Sequence, residues 1–158
     1  MTALSMTPIG VVRAPWSEAR GAPIQPRYAE GAEGTVEVFP AYREALADLD
    51  GFERIWLLYA FDRAAAWAPR VVPFRDTQER GLFATRAPPR PNPIGMSVVR
   101  LRRVAGGLLY LAELDVLDGT PVLDIKPYIP AFDAWPNARA GWFAAGRAPL
   151  TRADERFE

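Results

Sequence analysis

The stretch Ser97-Val-Val-Arg-Leu-Arg-Arg-Val-Ala-Gly-Gly-Leu-Leu-Tyr-Leu-Ala-Glu-Leu-Asp-Val116 decides the fold. Its first half alternates apolar and polar residues, as a half-buried strand does. Gly106 and Gly107 supply the positive φ that a tight hairpin turn needs. The second half, Leu108 to Val116, returns as an apolar partner strand. A lone hairpin is marginal in water, so further strands must complete a sheet.

Outward from this hairpin, Ile9 to Arg13, Gly34 to Phe39, Arg54 to Phe61, Gly81 to Thr85 and Val122 to Ile125 are short apolar or alternating runs bounded by Gly, Pro, Asp and Asn. Ile55-Trp-Leu-Leu-Tyr-Ala-Phe61 is apolar throughout and reads as a central strand covered on both faces. One helix is expected, Ala41 to Leu49, with Pro40 starting its first turn and Gly51 beyond its end. Strand–helix alternation is absent, and no Gly-x-Gly-x-x-Gly follows a strand, which argues against a doubly wound sheet. The fold class is therefore all-β: a small single-domain antiparallel β-barrel with one short helix and an irregular C-terminal tail. Residues 5–133 form the barrel domain, with an irregular Pro/Arg-rich connection over 62–80. Residues 134–158 form an Ala/Arg-rich tail, with Trp135 and Trp142 available to anchor it to the barrel or to a second subunit.

Composition narrows the chemistry. At 158 residues with 49% hydrophobic content, the chain can bury a core without staples. It has no cysteine, so disulfides and thiolate metal sites are excluded, and no histidine, the commonest zinc ligand and general base. No metal site is expected. The N-terminal residues carry no basic-then-apolar signal pattern, and no apolar run is long enough to span a membrane, so a cytoplasmic location is expected. Formal net charge is zero, without the global basic excess of a nucleic-acid wrapper. Arg86, Arg90, Arg100, Arg102 and Arg103 nevertheless lie close in sequence and would permit a local basic face.

Two segments carry chemistry. Ala84-Thr-Arg-Ala-Pro-Pro-Arg-Pro-Asn-Pro-Ile-Gly-Met-Ser97 holds four prolines and two arginines. Proline stiffens such a loop, so Arg86 and Arg90 lose little further entropy on binding a carboxylate or another anion, which a guanidinium matches bidentately. In Leu117-Asp-Gly-Thr-Pro-Val-Leu-Asp-Ile-Lys-Pro-Tyr128, a turn built from Asp118, Gly119, Thr120 and Pro121 precedes a short strand. Lys126, the only lysine beside 18 arginines (19 basic residues less one), is positioned to neutralise Asp124 or Asp115, or to reach a ligand.

These segments, with Ile9-Gly-Val-Val-Arg-Ala-Pro15, the Pro23-Ile-Gln-Pro26 turn and Leu49-Asp-Gly-Phe-Glu-Arg-Ile-Trp-Leu-Leu-Tyr59, resemble the signatures of the TsaA-like (TrmO) family in order and spacing. The resemblance runs from about Ile9 to Asp133. It implies an S-adenosylmethionine-dependent methyltransferase on a small β-barrel, acting at N6 of N6-threonylcarbamoyladenosine beside the anticodon of tRNA. It also implies a homodimer with S-adenosyl-L-methionine bound near the subunit boundary. Family positions lining that pocket correspond here to Gln25, Pro26, Asp62, Arg63, Arg86, Arg90, Asn92, Gly95, Met96, Ser97, Asp118, Gly119, Thr120 and Pro121. Arg90 is the first choice for an anionic group, and Arg86 the second, because Arg86 has neighbours for internal pairing. Where relatives commonly carry Phe-His, this chain has Phe61-Asp62, so no catalytic base is assigned. The alternative function is an S-adenosylmethionine-binding protein with a small-molecule acceptor or a sensing role. A Pro-rich interaction module without a ligand is a third reading.

Overall fold

Six strands close into an antiparallel barrel because each turns branched apolar side chains inward. The computed structural model describes residues 3–145 and 150–157; residues 1–2 of the N-terminal segment and residues 146–149 and 158 of the expected tail lie outside the described residues. The barrel strands are β1 (Gly10–Arg13), β2 (Glu33–Val38), β3 (Arg54–Ala60), β6 (Ile94–Ala105), β7 (Leu108–Ala112) and β8 (Pro121–Pro127). They close in the order β1-β2-β7-β6-β3-β8, and β4 (Arg70–Val71) pairs with β5 (Arg80–Gly81) as a separate hairpin. The all-β barrel expected from the sequence is what forms.

Along β3, Ile55, Leu57 and Tyr59 are buried while Trp56 and Leu58 are only half-buried. Val12, Val36, Val99, Leu109 and Val122 meet the inward row of β3 from the other barrel strands. Each such side chain contributes roughly 1.5–3 kcal/mol by leaving water. On the outer face of β3, Trp56 packs near Tyr128, with ring centroids 5.9 Å apart, and donates its indole N–H to Asp133 at 3.1 Å.

The hairpin at Gly106 and Gly107 forms with both φ values positive, at 59° and 81°. Other boundaries differ from the sequence reading. Residues 81–85, expected as a strand, form a 3₁₀ turn over Leu82–Ala84. Only Gly81 pairs as a strand, with Arg70 of β4; beyond it Leu82 is the turn's only buried side chain, and the Thr85 amide and hydroxyl both donate to the Leu82 carbonyl, so the backbone turns instead of extending the ladder. The expected helix is a 3₁₀ turn over Pro40–Leu46, followed by a second over Leu49–Gly51. The first buries no side chain, so no packed face supports an α-helix, and Asp48 breaks the run with a left-handed φ of 66°. A single α-helical turn sits instead at Pro130–Asp133. β7 stops at Ala112 because Glu113 adopts a φ of 58°. The Pro-rich loop passes directly into β6 at Ile94, three residues earlier than the alternation indicates.

Candidate functional site

Antiparallel pairing places the ends of β1, β3 and β7 beside the starts of β2, β6 and β8, at one mouth of the barrel. Every loop singled out in the sequence opens there. Residues 23–26 lie between β1 and β2, and residues 62–63 follow β3. Residues 86–93 precede β6, whose first residues include Gly95, Met96 and Ser97, and residues 118–120 lead into β8 at Pro121. The Phe61 amide donates to the Pro93 carbonyl at 2.7 Å, tying two of these loops together.

Within the Pro-rich loop the two arginines have different occupations. Arg90 donates to the Thr85 carbonyl at 3.0 Å and the Ala87 carbonyl at 3.3 Å, so its guanidinium staples its own loop. Arg86 is exposed and donates to the neutral carboxamide oxygen of Gln25 at 3.0 Å, with no carboxylate paired to it among the described residues. Both arginines thus carry internal bonds, Arg90 to two main-chain carbonyls and Arg86 to the Gln25 side chain. Gln25 precedes a 3₁₀ turn that starts at the buried Pro26, which fixes where its side chain enters the mouth. Asn92 is exposed, and its carbonyl accepts the Ile94 amide at 2.8 Å.

The second group forms around Arg63. Its guanidinium donates to the Asp118 carbonyl and the Thr120 hydroxyl, both at 2.9 Å, and pairs with Asp62 at 3.3 Å. The turn itself is anchored to β1: Asp118 Oδ1 accepts the Ala14 amide at 3.1 Å, and the Gly119 amide donates to the Val12 carbonyl at 2.9 Å. Gly119 sits at a φ of 79°, a conformation that favours glycine. Asp118 and Thr120 therefore build the wall, and Asp62 is half-exposed beside it.

Beneath the mouth lies a polar cluster that sequence reasoning missed. The Tyr59 and Ser97 hydroxyls are 3.0 Å apart in the barrel interior. Asp115 Oδ1 is sealed from solvent and has no hydrogen-bond partner. Burial pushes the Asp115 carboxyl up to about 7, against the smaller opposing effects of Ser97, a backbone amide and the Arg86 guanidinium. Burial, and secondarily Asp115, raises the Tyr59 hydroxyl well above its ordinary range. The available signal was an acidic residue set between Leu114 and Val116, both of which are buried. Ser97 thus faces inward, whereas the neighbouring Met96 points out and is 46% exposed.

The arginines grouped in sequence do not share one face. Arg100, Arg102 and Arg103 lie toward the hairpin end of the 12-residue β6, away from Arg86. Arg100 pairs with Glu53 at 3.4 Å, and Arg103 stacks on Tyr110 with 3.8 Å from its guanidinium carbon to the ring centroid. Lys126 is also remote from the mouth and forms an exposed ion pair with Asp124 at 2.9 Å, not with Asp115. From the tail, Trp142 donates to the Ala84 carbonyl at 2.8 Å, while Trp135 is 72% exposed. Residues 151–153 bond backbone to backbone with residues 21–24, bracing the loop that carries Gln25.

The arrangement suits a ligand with a carboxylate, backbone-reading polar groups and an apolar ring. Arg86 offers an uncompensated guanidinium, and the 118–121 turn offers carbonyl oxygens only, its amides being spent on the Trp16, Val12 and Leu117 carbonyls. Met96 and the 80%-exposed Phe83 offer apolar surface. Among the described residues no group of His, Cys, Asp and Glu is placed to hold a metal ion.

Comparison with known proteins gives a consistent result. The family described as tRNA-methyltransferase O N-terminal domain matches residues 11–134. A probable S-adenosyl-L-methionine-binding protein of Pyrococcus abyssi is 48% identical, over 95% of this chain and 83% of its own. The tRNA (adenine(37)-N6)-methyltransferase of Escherichia coli is 39% identical, over 90% of this chain and 65% of its own. The crystal structure of TrmO from Pseudomonas aeruginosa superposes with a TM-score of 0.76 at 43% identity, covering 89% of this chain and 63% of that one. The chain thus spans less than two thirds of the Escherichia and Pseudomonas proteins.

Proposed function

The chain belongs to the tRNA-methyltransferase O N-terminal domain family, and from that premise we propose that it is an S-adenosyl-L-methionine-dependent methyltransferase acting on N6 of N6-threonylcarbamoyladenosine beside the anticodon of tRNA. The observation that carries this reading is the convergence of all four motif loops on one barrel mouth, with the Arg86 guanidinium turned to solvent and bonded to a neutral amide. The residues fit the cofactor: the Arg86 guanidinium for its carboxylate, carbonyl oxygens of the 118–121 turn to accept from its ammonium or hydroxyls, and Met96 for its ring.

When bound, the cofactor supplies an electrophilic methyl group on a sulfonium. The protein's task is then to align the acceptor nitrogen and exclude water. Arg86, held by Gln25, orients the anionic end. Arg63 locks the 118–120 turn against the end of β3. Arg90 and the four prolines keep the loop rigid, so little ordering entropy is lost on binding. Two copies form a dimer in this reading, burying exposed apolar side chains such as Phe83 and Met96. The protein works in the cytoplasm, where its tRNA substrate is found; no helix among the described residues is long and apolar enough to cross a membrane.

A second reading is favoured by one observation: the formal net charge is zero, and Arg54, Arg63 and Arg100 are each paired with a carboxylate, Glu113, Asp62 and Glu53. On that reading the protein binds S-adenosyl-L-methionine for a small-molecule acceptor or as a sensor. Methyl transfer to tRNA separates the two. Transfer to a tRNA nucleoside supports the first, and cofactor binding without transfer supports the second.

A further inference from the structure

The family match stops at residue 134, and the residues beyond it reach both loops whose side chains meet in the Arg86–Gln25 bond. On the Gln25 side, the Gly21 and Ile24 amides donate to the Ala153 and Thr151 carbonyls at 2.8 and 3.1 Å, and the Ala153 amide donates back to the Ala22 carbonyl at 2.8 Å. Arg152, within this short ladder, lies over the Trp16 ring with its guanidinium carbon 5.1 Å from the centroid. Gln25 is the next residue after Ile24. On the Arg86 side, the Trp142 indole N–H donates to the Ala84 carbonyl at 2.8 Å, two residues before Arg86. The Trp142 ring is itself held: the Arg80 guanidinium carbon lies 5.2 Å from its centroid, and Arg80 pairs at 2.6 Å with the buried Asp76. Beside it, Phe143 lies 4.7 Å from the guanidinium carbon of Arg75, which donates to the Tyr28 hydroxyl in the turn that follows Gln25. One tail therefore fixes the backbone on both sides of a bond between residues 61 positions apart.

We propose that this tail is a strap for the ligand's carboxylate site, in which Trp142 is a positioning residue for Arg86 and the 151–153 ladder holds Gln25 opposite it. This inference rests on the reading of Arg86 as the cofactor's carboxylate partner. An exposed bond between two long side chains is weak, because water competes for it and both side chains lose rotamer freedom in making it. It presents a guanidinium in one place only if the two backbones carrying it are already fixed. The strap does this before the ligand arrives, so less ordering remains to oppose binding. Trp142 exerts its effect through Arg86. Its contribution to affinity must therefore disappear once Arg86 can no longer receive an anion, whereas a general loosening of the fold would weaken binding whatever residue stood at 86.

The test is a double-mutant cycle on the full chain, read by calorimetric titration with S-adenosylhomocysteine well below the melting temperature of every variant. Trp142→Phe keeps a ring beside Arg80 and removes the N–H; the side chain is only half-buried, so the barrel core is untouched. It is expected to weaken binding about three- to tenfold, the worth of one hydrogen bond. Arg86→Gln is expected to weaken it about tenfold or more, and the double variant to match Arg86→Gln within about twofold. On the other arm, Ala153→Pro removes the amide that the Ala22 carbonyl receives, and its loss of affinity is expected to vanish in a Gln25→Ala background. The arms are independent, so one decides if a variant of the other does not fold. Trp135→Phe, an exposed tail position, should bind as the wild type does. Wild-type affinity in both Trp142→Phe and Ala153→Pro, or losses that persist in full in the Arg86→Gln and Gln25→Ala backgrounds, overturn the strap and leave the cofactor reading intact. Absence of binding by the wild type, or full affinity in Arg86→Gln, overturns the reading of Arg86 and the strap with it.

Discussion

The Tyr59 ring lies directly over Gly95: a methyl group on residue 95 would fall inside the van der Waals envelope of three Tyr59 ring carbons. The glycine of the Pro93-Ile-Gly95 motif is thus explained by packing within the barrel, two residues before Ser97, whose hydroxyl shares a hydrogen bond with that of Tyr59. Gly95→Ala should displace the buried ring and break that bond, costing about 1–3 kcal/mol, as overpacking does. Chemical denaturation measures this. An unchanged midpoint would show that the ring moves freely.

Arg86 and Arg90 should separate binding from stability. Arg86→Ala is expected to weaken S-adenosylhomocysteine binding by about 1.5–3 kcal/mol, the range for a hydrogen bond to a charged group, with an unchanged melting temperature. Arg90→Ala removes the bonds to the Thr85 and Ala87 carbonyls, so it should lower the melting temperature. Calorimetry and thermal melts on both variants check the pair. Loss of affinity with full stability in Arg90→Ala would reverse the assignment.

Asp115 fixes a pH dependence of folding. Its carboxyl titrates near 7 in the folded protein and near 3.8 when exposed, so between these values the folded state holds the extra proton. The group's contribution therefore becomes less favourable as pH rises from about 4 to 7. Relative to its effect below pH 4, Asp115→Asn should be stabilising by about 1–2 kcal/mol at pH 5 and by about 3–4 kcal/mol at pH 8. Urea melts at both pH values test this, and a destabilised variant at pH 8 would contradict it.

Lys126→Arg should leave both folding and cofactor affinity unchanged. The ion pair with Asp124 is exposed and lies on β8 away from the mouth, and a guanidinium can satisfy the same carboxylate. Melting temperature and affinity measured on one preparation decide it. Loss of affinity alone would return Lys126 to the site.

The barrel was legible because its signals are local. The alternation of β6, the Gly106-Gly107 turn and the apolar β3 each follow from residues adjacent in the chain. What failed depended on partners distant in sequence. The run from Gly81 to Thr85 has strand-like composition but a partner strand only at Gly81, and the segment after Pro40 has helical composition but no face to bury. The same limit applied at the mouth. The loops were named by their motifs, yet only the closed barrel brings Asp115 beneath Ser97 and Tyr59. Likewise, that Arg90 bonds two main-chain carbonyls while Arg86 bonds the Gln25 side chain depends on directions that no residue pattern records.

The most direct test of the account is methyl transfer itself. The purified chain is incubated with methyl-labelled S-adenosyl-L-methionine and total tRNA from a strain lacking this gene, and the tRNA is digested to nucleosides. The account predicts label in the N6-methylated form of N6-threonylcarbamoyladenosine, lost in Arg86→Ala. Cofactor binding without label in any tRNA nucleoside would contradict it.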